Sequence, residues 1–253
     1  MPVSAAWLPP AGVAMSRWLP RATGVLTLAW AIAQTPGAEA FPHPVARWLY
    51  LGAWVALALL LIANRGVRIA GVVLAALAFH RVFWPVATAT GSSQTLLGWF
   101  ALILAVTEGR PAERSLLIRV CVSCVYGFTA LAKINPAFLA GDQLVYLTET
   151  RSQLSAFQDL AASGWGVAAS WGTVAAEGWL AVGLWFRRTR LATALFGAGL
   201  HVVLVAVAFR GIDGLVFLTV LNGLLIVGYL AFFDQGEPAA VGDPRTIGQP
   251  GPR

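Results

Sequence analysis

Four ionisable side chains lie within or at the ends of long apolar segments of this sequence: Lys133, Glu177, His201 and His80. On insertion scales, a charged residue at the centre of a bilayer costs about 2.5–3.5 kcal/mol, so such residues are rare and commonly functional. In an apolar setting, amines, carboxylates and imidazoles serve as general acids and bases or hold polar ligands. These residue types therefore indicate a candidate site for proton transfer or binding.

Lys133 is the sole lysine of the chain and stands at the end of an apolar segment. At 100° per residue along a helix, Tyr126, Thr129 and Ala130 lie within about 60° of it. A lysine above such a stripe that lines a water-accessible cavity can act as a general base, because desolvation disfavours its charged form. The alternative is a terminal lysine whose ammonium group snorkels to the membrane interface.

Glu177 lies midway along a later apolar segment, and Ser170 and Thr173 precede it by seven and four residues. These spacings place the three side chains in one polar stripe of a helix. The opposite face carries small residues that permit close helix contact, Ala168, Gly172 and Ala176. Glu177 is thus a candidate to hold a cation or orient a base, and the alternative is a buried pair that fixes helix packing.

His201 lies at the centre of its apolar segment, with Gly197 one turn before it. Its imidazole can act as a base, as a hydrogen-bond partner of Glu177, or as a satisfied structural group. A b-type haem would need a second histidine at matching depth, and His80 lies at the end of its segment. We therefore assign His201 to the support of Lys133 and disfavour haem binding.

Cys121 and Cys124 form a CxxC string, a spacing that is typical of redox pairs at accessible helix N-termini. Here the string begins two residues after Arg119, inside an apolar segment. It is therefore predicted to be a pair of ordinary buried cysteines. The sequence shows no zinc-ligand cluster and no phosphate-binding loop, and we predict no metal site.

The composition indicates which elements position these side chains. Hydrophobic residues make up 58% of the 253 residues and charged residues 11%, against about 25% charged in an average soluble domain. This deficit excludes an ordinary water-soluble globular domain and a disordered chain. A helical span needs about 20 mostly apolar residues, which predicts an all-α polytopic transmembrane helix bundle of about eight spans: 20–36, 45–63, 66–84, 91–107, 115–134, 166–186, 191–209 and 212–233.

Arginines sort to one side of this bundle. With the N-terminus in the cytoplasm, nine arginines flank cytoplasmic helix ends: Arg17, Arg21, Arg65, Arg68, Arg110, Arg114, Arg187, Arg188 and Arg190. Four flank outer ends: Arg47, Arg81, Arg151 and Arg210. This ratio fits the positive-inside rule and predicts a cell-membrane protein with both termini cytoplasmic. The net charge of +6 is accordingly a topology signal and does not predict nucleic-acid binding.

Three regions are predicted along the chain: an N-terminal segment (1–19), the transmembrane domain (20–233) and a disordered cytoplasmic tail (234–253). The longest connection, about 135–165, lies on the outer side. Its later part places apolar side chains at helical spacing, Leu154, Phe157, Leu160 and Ala161. This pattern predicts a short amphipathic helix on the membrane surface.

The segment 119–144, RVCVSCVYGFTALAKINPAFLAGDQL, resembles the signature of the HTTM family, the membrane domain shared with vitamin K-dependent gamma-carboxylase. In that signature an Arg-led span is followed by a Lys, a short polar or aromatic stretch and a Gly. Later motifs follow the same family order: Glu177-Gly-Trp-Leu, Arg187-Arg-Thr-Arg190, Gly199-Leu-His201 and a span with Phe217. The resemblance covers about 44–233.

The resemblance implies a role for each matching residue. Lys133 matches the carboxylase lysine that deprotonates reduced vitamin K, after which the oxygenated quinone generates the strong base that acts on a substrate glutamate. His201 matches a histidine in the family's seventh-span region. Gln94 stands where the carboxylase has a functional histidine, and we assign Gln94 and Tyr126 to cofactor contact. The implied cofactor is a reduced quinone.

Three functions follow as hypotheses. The first is a quinone- or lipid-linked enzyme with an outward-facing cavity, in which Lys133 is the base and His201 and Glu177 support it. The second is a non-enzymatic membrane accessory or assembly subunit whose polar residues only pack helices. The third is a redox partner like the DoxX or MauE proteins, in which Cys121 and Cys124 change oxidation state. The expected partners are membrane lipid and a quinone or a secreted or membrane peptide.

Overall fold

The fold was analysed in a computed structural model, which describes residues 17–33, 44–83, 91–151, 159, 164–207 and 211–234. These residues are almost entirely helical, and no strand occurs among them. The predicted all-α class is therefore confirmed. In chain order the helices are α1 (Leu19–Ala33), α2 (Pro44–Ile62), α3 (Val67–Phe83), α4 (Gly91–Val106), α5 (Pro111–Lys133), α6 (Pro136–Leu139), α7 (Asp142–Arg151), α8 (Gly166–Gly183), α9 (Arg190–Val207) and α10 (Gly211–Phe233).

Each of the eight predicted apolar segments coincides with a helix to within a few residues. In the described ranges, α2 and α5 are long and apolar enough to cross a membrane. Shorter apolar stretches lie in α3, α4, α9 and α10. The membrane crossings of the other helices, and the orientation of the bundle, stay predictions.

The long connection after α5, about 135–165, begins differently from the prediction. It forms the short helices α6 and α7, and Asn135 caps α6 by accepting a hydrogen bond from the Phe138 N–H at 2.9 Å. Gly141 joins the two helices at a φ of 90°, and a Cβ there would lie 2.8 Å from the carbonyl carbon of Gly166. Only glycine therefore permits this approach to the start of α8. The predicted surface-helix residues Leu154, Phe157, Leu160 and Ala161 lie outside the described residues, as does the tail after Asp234.

Helix α10 lies at the centre of the bundle, where it packs against α1, α4, α5 and α9. Gly228 allows its close approach to α5, because a Cβ there would lie 2.6 Å from Cγ2 of Val122 and 3.2 Å from the ring of Phe100. Since Tyr229 follows directly, this contact also brings Tyr229 to the buried face of α5. On the other side of the bundle, the rings of Trp30 and Trp54 join α1 to α2 with centroids 4.3 Å apart.

The start of α5 is fastened to the end of α10. The Ser115 hydroxyl donates to the Ala231 carbonyl at 2.8 Å, and Arg119 Nε donates to the same carbonyl at 2.7 Å. A second Arg119 nitrogen donates to the Asp234 carbonyl at 3.1 Å. The last carbonyls of a helix lack intrahelical partners, so these bonds satisfy them and fix the register of α5 against α10.

Candidate functional site

A cavity of about 980 Å³ lies between α4 and α5, with residues of α8, α9 and α10 completing its wall. We call it the α4–α5 cavity. Most of its wall is apolar and includes Leu96, Trp99 and Ile103 of α4 and Leu117, Val120 and Phe128 of α5. An apolar wall with a few convergent polar groups is the usual form of a small-molecule site.

The α4–α5 cavity is long and open at the side. It contacts both Leu117 and Lys133, which are sixteen residues apart on α5, so it extends about 24 Å along the helix at 1.5 Å per residue. Phe128 lines it and is 70% exposed, and Trp99 is also exposed. The cavity is therefore a cleft that opens between α4 and α5 on the outside of the bundle.

Lys133 and Glu177 form an ion pair at one end of this cavity. The Lys133 Nζ atom lies 2.8 Å from both carboxylate oxygens of Glu177, and the two side chains are 26% and 14% exposed. The pair connects the end of α5 to the middle of α8. Each residue is the other's counter-ion.

Three side chains from different helices form a hydrogen-bonded cluster deeper in the bundle. The Tyr126 hydroxyl of α5 bonds both to Nε2 of His201 in α9 and to the hydroxyl of Tyr229 in α10. All three residues are buried. Tyr126 precedes Lys133 by seven residues, which places the cluster about 10 Å further along α5 from the ion pair. The Glu177 carboxylate lies close enough to act on Tyr126 electrostatically.

Asn222 completes the polar part of the cavity wall. It lines the α4–α5 cavity together with His201 and neighbours that imidazole, and each residue is 5% exposed. The Asn222 side chain is the hydrogen-bond partner of the His201 imidazole. This hydrogen bond joins α9 to α10 at the wall of the α4–α5 cavity.

The structure brings four of the five predicted site residues together: Lys133, Glu177, Tyr126 and His201 line one cavity. His201 does not contact Glu177 through a hydrogen bond but bonds to Tyr126 instead. Their catalytic and binding roles stay predictions.

Gln94 lies apart from the other predicted site residues. It is buried in α4, whereas the next two residues, Thr95 and Leu96, line the α4–α5 cavity. Gln94 was assigned from its position relative to the family pattern, whereas cavity contact depends on the face of the helix.

Asn222 and Tyr229 were not predicted as site residues from the sequence. A signal for both was present, because they are seven residues apart and therefore share one face of α10. Tyr229 also needs space that the neighbouring helix provides, since a Cβ at Gly197 would lie 2.7 Å from Leu180 and collide with the Tyr229 hydroxyl.

Cys121 and Cys124 are both free thiols that line the α4–α5 cavity, and Cys121 is half-buried while Cys124 is exposed. The prediction that both cysteines are buried is therefore wrong for Cys124. On a helical wheel Cys124 lies about 180° from Lys133, yet both contact the same cavity because it extends around α5. Among the described residues, no group of three or more His, Cys, Asp and Glu side chains could hold a metal ion.

Comparison of this chain with protein-family models, curated protein sequences and solved structures found no significant match. Membership of the HTTM family therefore stays a prediction from the sequence. The function must be argued from the cavity and the side chains around it.

Proposed function

We propose that this chain is a multi-pass membrane protein that binds a quinone- or lipid-like amphiphile in the α4–α5 cavity. The ligand exchanges a proton with the Lys133–Glu177 pair. The observation that carries this proposal is the combination of a long apolar cleft with an ion pair at one end. A molecule with a polar ring or headgroup and an apolar chain matches that distribution of polarity.

The surface of the bundle supports a membrane location. Large apolar side chains are exposed along its helices, including Leu49 of α2, Ile69 of α3 and Leu195 of α9. Contiguous apolar surface of this kind is unfavourable in water and favourable in the hydrocarbon layer. We propose further that the protein has the eight spans that its apolar segments predict and the cytoplasmic termini that its arginine distribution predicts.

The dimensions of the cavity support a ligand with a chain. A length of about 24 Å exceeds that of a single ring and leaves room for an extended hydrocarbon tail toward Leu117. The side opening beside Phe128 and Trp99 would admit such a molecule from the hydrocarbon layer of the membrane. The polar end of the ligand then lies toward Lys133.

The ion pair determines how a proton moves. When a ligand hydroxyl gives up its proton, the O–H bond breaks, the electron pair stays on the ligand oxygen, and the Lys133–Glu177 pair gains the proton. The pair changes from ammonium–carboxylate to ammonium–carboxylic acid, and the remaining positive charge stabilises the new oxyanion. In this step Lys133 passes one of its own protons to the Glu177 carboxylate, 2.8 Å away, and takes the ligand proton in its place, so that it acts as a base together with Glu177. The resemblance to the HTTM family supports a reduced quinone as the ligand.

One observation favours a second candidate, a non-enzymatic accessory subunit. The two charges of the Lys133–Glu177 pair neutralise each other at 2.8 Å and join α5 to α8. Such a pair is also suited to a purely structural role that fixes helix position. The two candidates differ in whether substitutions at the pair alter ligand chemistry or only stability.

The test uses the purified full-length protein in detergent with 2-decyl-1,4-benzoquinone, a quencher of tryptophan fluorescence, as the probe. We expect saturable quenching whose amplitude falls in a Trp99→Phe variant, because Trp99 lines the cavity. The reduced probe is then supplied, and oxygen uptake reports its deprotonation, since the quinolate reacts with oxygen faster than the neutral quinol.

Lys133→Ala should reduce this oxygen uptake about a hundredfold, which is within the usual contribution of a general base. The matched control is Leu131→Ala, an exposed residue of the same helix turn that does not line the cavity. Quenching that does not saturate and is unchanged by Trp99→Phe would refute ligand binding in the cavity. If the probe binds saturably but Lys133→Ala leaves oxygen uptake intact, the accessory role is favoured.

A further inference from the structure

A turn rich in arginine joins α8 to α9 at one end of the bundle. We call residues 184–190 the arginine turn, because three of these seven residues are arginines. Trp185 fastens the turn to two other helices. Its indole donates a hydrogen bond to the Ser123 hydroxyl of α5 at 2.7 Å, and its ring packs edge-on against Phe232 of α10 with centroids 5.5 Å apart. The arginine turn is therefore held against α5 and α10.

Two arginines at this end of the bundle are engaged by carbonyls at the ends of helices. Arg119 of α5 donates to carbonyls at the end of α10. Arg190 donates from Nε to the Leu184 carbonyl at the end of α8 at 3.1 Å, and its guanidinium lies 5.9 Å from the ring centroid of Phe233 in α10. The negative ends of two helix dipoles therefore already hold these two cations.

Arg187 and Arg188 are exposed and have no such engagement. Among the residues that the structure describes, neither makes a hydrogen bond or an ion pair. Arg187 and Arg119 both lie close enough to repel the guanidinium of Arg190, and the Asp234 carboxylate offsets part of this charge through its attraction to Arg119. The end of the bundle around the arginine turn thus carries an excess of positive charge.

We propose that the arginine turn binds the phosphate of an anionic phospholipid through Arg187 and Arg188. Guanidinium groups form paired hydrogen bonds with phosphate oxygens. The positive-inside rule predicts that this end of the bundle faces the cytoplasm, where the leaflet is rich in anionic lipids. The inference uses the membrane location of the proposed function and is independent of the ligand in the α4–α5 cavity.

The aromatic residues of the arginine turn favour a lipid over a free anion. Trp185 is 40% exposed and Phe186 is 59% exposed, and they directly precede the two unengaged arginines. Aromatic side chains of this kind reside at the level of the lipid headgroups. A phospholipid therefore contacts the aromatic rings with its glycerol and acyl chains while its phosphate reaches the guanidinium groups. A free phosphate ion uses the arginines alone.

The test measures thermal unfolding of the purified full-length protein in dodecyl maltoside micelles. Three probes are titrated: dioleoyl phosphatidylglycerol, dioleoyl phosphatidylcholine and inorganic phosphate. We expect phosphatidylglycerol to raise the melting temperature saturably, because a ligand that binds the folded state stabilises it. Half-saturation should occur at about tenfold less lipid than with phosphatidylcholine, since the two arginines attract the net negative headgroup. Inorganic phosphate at the same concentrations should produce no shift.

The double variant Arg187→Gln with Arg188→Gln should lose the tenfold preference for phosphatidylglycerol. Without lipid its melting temperature should stay the same or rise, because one source of repulsion at Arg190 has been removed. These two results together separate a lipid site from a structural role of the arginines, which predicts a lower melting temperature without lipid.

The matched control is Arg65→Gln with Arg68→Gln. Both arginines are exposed, and they stand at the turn between α2 and α3, where neighbouring residues line a small pocket together with Glu108. The control removes the same charge from the protein and should keep the preference for phosphatidylglycerol.

Four results would overturn the inference. Equal effects of the two lipids would show that the headgroup charge is not recognised, and an equal effect of inorganic phosphate would indicate a site for free anions. Retention of the preference in Arg187→Gln with Arg188→Gln would place the lipid elsewhere. Equal loss in both double variants would indicate a general effect of net charge. Quenching by the quinone probe in the same samples reports the proposed function separately.

Discussion

Tyr126 of α5 and Tyr229 of α10 are joined through their hydroxyl groups, and the same Tyr126 oxygen also bonds to the imidazole of His201 in α9. The two tyrosine rings are nearly parallel, with an interplanar angle of 27° and centroids 6.3 Å apart. One hydroxyl therefore connects three helices in the interior of the bundle. Removal of the Tyr126 hydroxyl therefore breaks two hydrogen bonds, whereas removal of the Tyr229 hydroxyl breaks one.

This difference predicts unequal effects of two matched substitutions. Tyr126→Phe should lower the free energy of unfolding by about 1–3 kcal/mol, because it leaves the Tyr229 hydroxyl and His201 Nε2 buried without partners. Tyr229→Phe should cost less, because the bond between Tyr126 and His201 remains. Denaturant unfolding of the two variants in mixed micelles provides the comparison. Equal losses, or a larger loss for Tyr229→Phe, would contradict the position of the Tyr126 hydroxyl between two partners.

The helices could be predicted from the sequence because their apolar runs are long and their ends are marked. Pro111 and Glu113 stand in the first turn of α5, where proline and an acidic residue suit a helix start. The predicted span begins later than the helix, at residue 115, because it was defined by its apolar residues and not by the features of a helix start. The structure of the long connection after α5 was harder to predict, since the capping by Asn135 and the close contact at Gly141 depend on neighbouring structure.

The sequence indicates which residues belong to the candidate site better than it indicates which of these residues contact each other. Lys133, Glu177 and His201 are conspicuous because ionisable residues are rare in apolar segments. Their partners are separated by long stretches of chain, and spacing within one helix says nothing about which helix lies opposite. The sequence therefore could not indicate that Lys133 pairs with Glu177 and that His201 pairs with Tyr126.

Two glycines of α9 offer a matched test of the space around Tyr229. A Cβ at Gly197 would lie 2.7 Å from Leu180 and collide with the Tyr229 hydroxyl, whereas a Cβ at Gly199 would meet no atom within 4 Å. Gly197→Ala should therefore destabilise the protein by about 1–3 kcal/mol, as overpacking of a core does. It should also weaken binding of the quinone probe by displacing Tyr229.

Gly199→Ala is the control for that substitution. Alanine has a higher helix propensity than glycine, by about 1 kcal/mol, so Gly199→Ala should be neutral or stabilising and should leave probe affinity unchanged. Thermal unfolding and tryptophan quenching measure both properties in the same samples. If the two variants behave alike, the close contact of α9 with Tyr229 is not needed for the site.

Arg119 should stabilise the end of α10. Arg119→Leu removes the hydrogen bonds to the Ala231 and Asp234 carbonyls and should lower the free energy of unfolding by about 1–3 kcal/mol, because these carbonyls lose a charged donor. Arg68→Leu, at an exposed arginine, should change stability by no more than about 0.5 kcal/mol. Comparable losses in both variants would indicate a general effect of lost positive charge.

The Lys133–Glu177 pair can be tested by exchanging its charges. Lys133→Ala or Glu177→Gln alone should reduce stability, because each leaves one partly buried charge without its counter-ion at 2.8 Å. The double variant Lys133→Glu with Glu177→Lys restores an ion pair between α5 and α8 and should recover most of the stability. It moves the ammonium group from α5 to α8, and under the proposed function the ligand oxyanion should then lose the positive charge that stabilises it.

The two readouts should therefore separate in the charge-exchanged variant. Thermal unfolding should return close to that of the original protein, while oxygen uptake with reduced 2-decyl-1,4-benzoquinone stays about a hundredfold lower, in line with the usual contribution of a positioned base. Recovery of both properties would mean that the pair only holds α5 against α8. Because the exchange leaves composition and net charge unchanged, a difference between the two readouts must arise from where the amine and the carboxylate stand relative to the ligand.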